Sequence, residues 1–168
     1  MIAGLIKTSK IYLCLFLIAY SYAQTDNRLK LQRADTLENI TLKGVSMQYL
    51  KGNVIFKKGD MVLRCDWARF NKKTQEGFLF GKVTMDQKDQ NLVSDSLYID
   101  SPKDILIAYS NVEVWDSTYS LVADTLFYFS EIDSGSANGN TTLKQENQII
   151  TGDMIEYKKY PESSGVSY

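Results

Sequence analysis

The chain has 168 residues, 44% hydrophobic and 23% charged, proportions that suit one globular core and argue against a disordered or membrane-spanning chain. Lys and Arg number 19 against 20 Asp and Glu, so the formal charge of -1 supplies no long-range field to hold nucleic acid. Histidine is absent, which excludes His-dependent triads, His metal sites and His proton relays.

The chain opens with the three-part layout of a secretory signal: Lys7 and Lys10, the apolar run Ile11 to Ala19, then Ser21-Tyr22-Ala23 before Gln24. The run is too short to span a bilayer, which takes roughly 20 residues. The expectation is a signal peptide over 1–23, cleavage after Ala23, and a mature domain over 24–168. No small-residue lipobox accompanies Cys14, so a lipid anchor is not expected. Cys65 is then the only mature thiol, expected as a small buried hydrophobe rather than half of a disulfide.

Next comes Ala34-Asp35-Thr36-Leu37, which echoes the later Ala123-Asp124-Thr125-Leu126 and suggests a first strand of the same type. From there a repeat governs the chain. Gly52-Asn53-Val54, Gly81-Lys82-Val83, Ser110-Asn111-Val112 and Gly139-Asn140-Thr141 begin at a constant step of 29 residues, as do Asp66, Asp95, Asp124 and Asp153. Each repeat therefore supplies two strands.

The glycine strand keeps one parity throughout: Leu50, Leu79, Ala108 and Ala137 before the glycine position, then Val54 and Phe56, Val83 and Met85, Val112 and Val114, Thr141 and Leu143 after it. The aspartate strand changes parity. Leu63, Leu92, Leu121 and Ile150 precede the aspartates by three places, while Ala68 and Phe70, Leu97 and Ile99, Leu126 and Tyr128, Ile155 and Tyr157 follow by two and four. Side chains on a strand alternate strictly, so each aspartate strand is expected to bend at Asp66, Asp95, Asp124 or Asp153, the carboxylate holding the bend by accepting backbone hydrogen bonds.

The connections are short and polar, for example Lys57-Lys58-Gly59-Asp60 and Asp100-Ser101-Pro102-Lys103-Asp104. Strands joined so briefly usually pair antiparallel. The competitor is a parallel β-solenoid, but one repeat per rung would stack the aspartates about 4.8 Å apart as a repulsive ladder. An all-β antiparallel meander of two strands per repeat is favoured. The outer face is expected to be partly aromatic, at Tyr98, Trp115 and Phe127. Gly135 to Gly139 has the outline of a nucleophile elbow but no histidine to activate Ser136.

The repeat, Gly-Asn-Val followed by Ala-Asp-x-Leu-x-Tyr as in Ser110-Asn111-Val112 and Ala123 to Tyr128, resembles that of the LptA/OstA family over about Ala34 to Tyr157. The resemblance implies a sheet folded over like a taco, an open jelly roll or half-barrel. Its apolar groove would be lined by Val54, Phe56, Val83, Met85, Leu97, Ile99, Val112, Val114, Leu126, Tyr128, Leu143 and Ile155. It further implies a periplasmic, non-enzymatic component of lipopolysaccharide transport with no cofactor or metal. The expected partners are lipopolysaccharide or a related lipid, and other OstA-like domains paired edge to edge; nucleic acid is not among them.

The chain departs from the pattern at Ser110 and Thr141, and a fifth glycine position would fall at residue 168. Either the chain is a fragment of a longer OstA-like protein or its last edge stays open for another strand. Without the resemblance, the same inner residues favour a closed, dry core, and an exported structural or adhesive solenoid is the alternative.

Overall fold

The computed structural model describes residues 28–129 and 134–158, so the expected export segment lies outside the described residues. The strands are β1 Lys30–Arg33, β2 Thr36–Leu42, β3 Val45–Lys58, β4 Met61–Asn71, β5 Glu76–Gln87, β6 Gln90–Asp100, β7 Ile105–Trp115, β8 Tyr119–Phe129, β9 Ser134–Gln145 and β10 Gln148–Lys158. Among the described residues they form a single ten-stranded sheet in which β3 to β10 follow chain order, while β1 and β2 together cover the outer side of β3. Every neighbouring pair from β3 to β10 is antiparallel, as are β1 and β2 with β3. The meander is therefore the fold, and the parallel solenoid is excluded.

A crease crosses β3 to β10 at the glycine and aspartate columns, and Asp35 between β1 and β2 lies on the same line. Gly52 and Asn53, Gly81 and Lys82, Ser110 and Asn111, and Gly139 and Asn140 are four pairs of consecutive left-handed residues, with φ of 75 and 48, 76 and 47, 61 and 52, and 76 and 47°. Glycine enters that region without steric cost, which explains the first column. Ser110 adopts the same backbone with a side chain.

The register shows where the surplus residue lies. Lys51 pairs with Trp67 and Val54 with Cys65, so β3 spends Gly52 and Asn53 where β4 spends only Asp66. The shift recurs at each later crease, always with one residue more on the glycine strand. This is a β-bulge, and it re-aims the chain on both sides. The sequence expectation put the irregularity on the aspartate strand, whose parity does change: Cys65 and Ala68 are both buried, with exposed Asp66 and Trp67 between them. The extra residue itself belongs to the opposite strand, because two left-handed residues together restore the parity that one alone would break.

The crease folds the sheet into two leaves facing each other. One leaf holds the β2–β3, β4–β5 and β6–β7 turns, the other the β3–β4, β5–β6, β7–β8 and β9–β10 turns. Phe56 of the second leaf packs against Phe70 of the first at 5.1 Å between ring centroids. Leu50, Val54, Leu63, Leu79, Val83, Leu97 and Ala108 are fully buried between the leaves. Burial removes their apolar surface from water, at about 25 cal/mol per Å².

On the outer face of the first leaf, Trp67 stacks on Phe80 at 4.0 Å, and Phe78 packs against Tyr98 at 4.9 Å. Such cross-strand pairs stabilise the sheet by roughly 0.2 to 1 kcal/mol each. The same leaf carries Phe127 outward, while Trp115 lies on the outer side of the second leaf.

Candidate functional site

At the crease, each aspartate faces the glycine strand that follows it. Asn53, Asn111 and Asn140 donate side-chain amide hydrogen bonds to Asp35, Asp95 and Asp124 at 2.7, 2.8 and 2.8 Å. Gly81 lies so close to Asp66 that an added Cβ would stand 2.6 Å from Oδ2 and 2.9 Å from the aspartate Cβ, and Gly52 and Gly139 meet Asp35 and Asp124 in the same way. The carboxylates are thus met by side-chain amides and by a glycine surface, where the sequence led us to expect backbone donors. Asp35, whose spacing to Gly52 is 17 residues against the 15 from Asp66 to Gly81, belongs to the same series. Its hairpin has longer arms and a tighter turn, closed at Lys43 and Gly44 with φ of 49 and 79°.

The leaves do not pack equally along their length. Around β3 and β4 the interior is filled, and Val54, Phe56, Val83, Leu97, Ile99 and Val112 are buried members of the core. Towards β10 the leaves part around a cavity of about 420 Å³, lined by Met85, Val114, Leu126, Tyr128, Leu143 and Ile155. Six of the expected groove residues line the cavity and six lie in the core away from it; Met85 and Val114 on the cavity wall are also buried members of that core.

The wall also includes Leu92, Leu106, Leu121 and Ala137, with Gln90, Tyr119, Ser136, Gln145 and Tyr157 as further polar members. None of these lining side chains is charged. Burial, and secondarily the Asp116 carboxylate, hold the Tyr119 phenol above its ordinary range, so it stays a neutral hydroxyl beside Gln90 Nε2 at 3.4 Å.

In the column two places before the glycine position the inner side chains shrink along the chain, from Leu50 and Leu79 to Ala108 and Ala137, and Ala137 lines the cavity. The column two places earlier, Gln48, Gly77, Leu106 and Gly135, shows no such trend.

Across the open side of the fold, Lys58 Nζ on the second leaf donates to the Ser101 carbonyl at 2.7 Å and to the Asp104 carboxylate on the first. This clasp joins the lips beside the closed core. A second cavity of about 470 Å³, with Arg28, Lys30 and Lys72 among its lining, lies at the β1/β2 edge. Ser136, the serine of the apparent nucleophile elbow, lies within β9 and accepts a hydrogen bond from Asn138 at 3.2 Å.

An antiparallel sheet folded along a repeated crease, with an apolar cavity between its leaves, defines an open β-jelly roll. The family model of OstA-like proteins matches residues 26–100 and 75–166. The chain belongs to the OstA-like protein family. Among solved structures it is similar to LptH, described as the LptA homologous periplasmic component of the conserved lipopolysaccharide transport device from Pseudomonas aeruginosa. That match has 10% identity and a TM-score of 0.60, covering 76% of this chain and 96% of the other. At that identity the likeness speaks for the fold. No curated protein matches the chain.

Proposed function

We propose that this chain is a periplasmic component of lipopolysaccharide transport to the outer membrane, binding acyl chains between its leaves and joining similar domains edge to edge. The observation that carries the proposal is the uncharged, mainly apolar cavity bounded by both leaves. Membership of the OstA-like family and the role described for LptH point the same way. Hydrocarbon is the ligand such a wall suits, since each methylene withdrawn from water contributes about 0.8 kcal/mol before the costs of binding. The volume lies within the roughly 300 to 1,000 Å³ range of ligand pockets. Nothing in this role requires catalysis.

The edges supply the second half of the reading. Ile149, Ile150, Met154 and Tyr157 are each more than half exposed on β10, which has β9 as its one neighbouring strand among the described residues, and an edge strand of this kind invites another. A head-to-tail join of this kind need not close into a ring and would extend the groove from one domain to the next. The test is direct binding of lipopolysaccharide to the purified chain, followed by competition with detergent. Saturable binding reversed by detergent is expected; an absence of binding would remove the transport reading.

A further inference from the structure

The cavity wall is apolar except for a few side chains, and the repeat decides where two of them stand. We propose that Tyr119, positioned by Gln90, sets the specificity of the cavity by donating its hydroxyl proton to an uncharged oxygen at the head of the bound chain. The ligand class is then an acyl chain ending in an ester, amide or hydroxyl, and not one ending in a free carboxylate or a phosphate. This rests on the acyl-binding reading above and adds what the site asks of the chain's polar end.

One position of the repeat carries the distinction. Met61, Gln90 and Tyr119 follow one another at steps of 29 residues, each two places before an inner leucine, Leu63, Leu92 and Leu121. The period of two along a strand puts them on the inner face as well. Each opens its strand, β4, β6 or β8, so the three form a row along the lip of the second leaf. Met61 is a buried core residue, whereas Gln90 and Tyr119 line the cavity. The row turns from apolar to polar where the filled interior gives way to the cavity. An amide or a phenol withdrawn from water costs free energy unless it is hydrogen-bonded, so the change of residue type calls for polar partners there.

The pair has a direction. Gln90 Nε2 donates to the Tyr119 hydroxyl oxygen at 3.4 Å, a long bond that occupies a lone pair and leaves the phenolic proton to donate onward. The β7–β8 turn fixes the tyrosine backbone: the Tyr119 N–H donates to Asp116 Oδ1 at 3.0 Å, and the Tyr119 carbonyl accepts from the Asp116 N–H at 3.1 Å.

Charge decides which oxygen fits. Burial, then the carboxylate of Asp116 and more weakly that of Asp89, hold the Tyr119 phenol above its ordinary range, so the proton stays on it. Hydrogen bonds, the Thr118 N–H first, hold Asp116 below the usual carboxylate range, and it remains charged. An incoming carboxylate or phosphate would meet both negative groups, and among the described residues no Lys or Arg lines the cavity to offset them. A carbonyl or hydroxyl oxygen accepts the same proton without that repulsion.

The experiment follows an apolar fluorescent dye, N-phenyl-1-naphthylamine, as it is displaced from the purified chain at pH 8. The competitors are 1-decanoylglycerol and decanoate, the same chain ending in an uncharged ester or a carboxylate. The ester is expected to displace the dye at a concentration about three- to ten-fold lower, the effect of one hydrogen bond. Tyr119→Phe removes only the hydroxyl, and should weaken the ester by a similar factor while decanoate binds as before. Gln90→Met, which places the first repeat's residue in the second, should also weaken the ester and spare decanoate. Retained decanoate binding shows that each variant is folded. Equal displacement by the two competitors, tighter binding of decanoate, or an equal effect of Tyr119→Phe on both would overturn the proposal and leave the acyl-binding reading standing. Displacement by neither competitor would overturn both.

Discussion

Adding one methyl group at Gly81 tests the crease. Gly81 has φ of +76°, a conformation that costs an L-residue about 1 to 2 kcal/mol. Its Cβ would also stand 2.9 Å from the Asp66 Cβ. That atom is fixed to the backbone, so relief requires moving β4, an overpacking cost of about 1 to 3 kcal/mol. Gly81→Ala should therefore lose about 2 to 5 kcal/mol, lowering a urea midpoint by about 1 to 2.5 M at an m-value of about 2 kcal/mol per M.

Gly59 separates the two contributions. It has φ of +56° with nothing near the added atom, so Gly59→Ala should lose only the conformational part, about 1 kcal/mol. Ser110→Gly reverses the change in a neighbouring repeat, where φ is 61°, and should gain up to about 1 kcal/mol. Urea unfolding followed by circular dichroism reads all three. If Gly81→Ala cost no more than Gly59→Ala, the close approach to the aspartate would have no energetic consequence and the account of the crease would fail.

Thr141 is 1% exposed and its hydroxyl has no hydrogen-bond partner, so Thr141→Val should raise stability by about 1 kcal/mol in the same assay, and a loss would contradict the buried orphan. Burial pushes the Cys65 thiol up to about 12, so the folded chain at pH 8 should resist iodoacetamide while the urea-unfolded chain reacts, and rapid native labelling would contradict the closed core. Lys58, whose side chain is 9% exposed, holds the two lips together through Ser101 and Asp104. Lys58→Met should therefore lose about 1 to 3 kcal/mol, and an unchanged midpoint would show that the clasp contributes nothing.

Much of this architecture was legible in the residues because a strand has a period of two and the repeat has one of 29. The register shifts fall at the glycine and aspartate columns, and the echo at Ala34 to Leu37 marked an earlier element of the same series without marking a bend there. Which strand carried the extra residue was not legible, since parity reports where side chains point and not how many left-handed residues intervene. The division between core and cavity was harder still. Val54 and Leu143 are both apolar inner residues, yet one lies in a closed core and the other on a cavity wall. The difference depends on their neighbours across the gap: Phe56 against Phe70 fills the interior at one end, whereas Ala137 stands among the residues lining the cavity at the other.

The most direct measurement places a photo-crosslinking residue at one position at a time and exposes the chain to lipopolysaccharide. Leu126, Leu143 and Ile155 stand on the cavity wall, whereas Lys82 and Glu113 point outward from the same leaves. Lipid adducts at the three wall positions and none at the two outward positions are the expected result. Equal labelling of both sets, or adducts at Lys82 and Glu113 alone, would contradict a lipid-holding groove between the leaves.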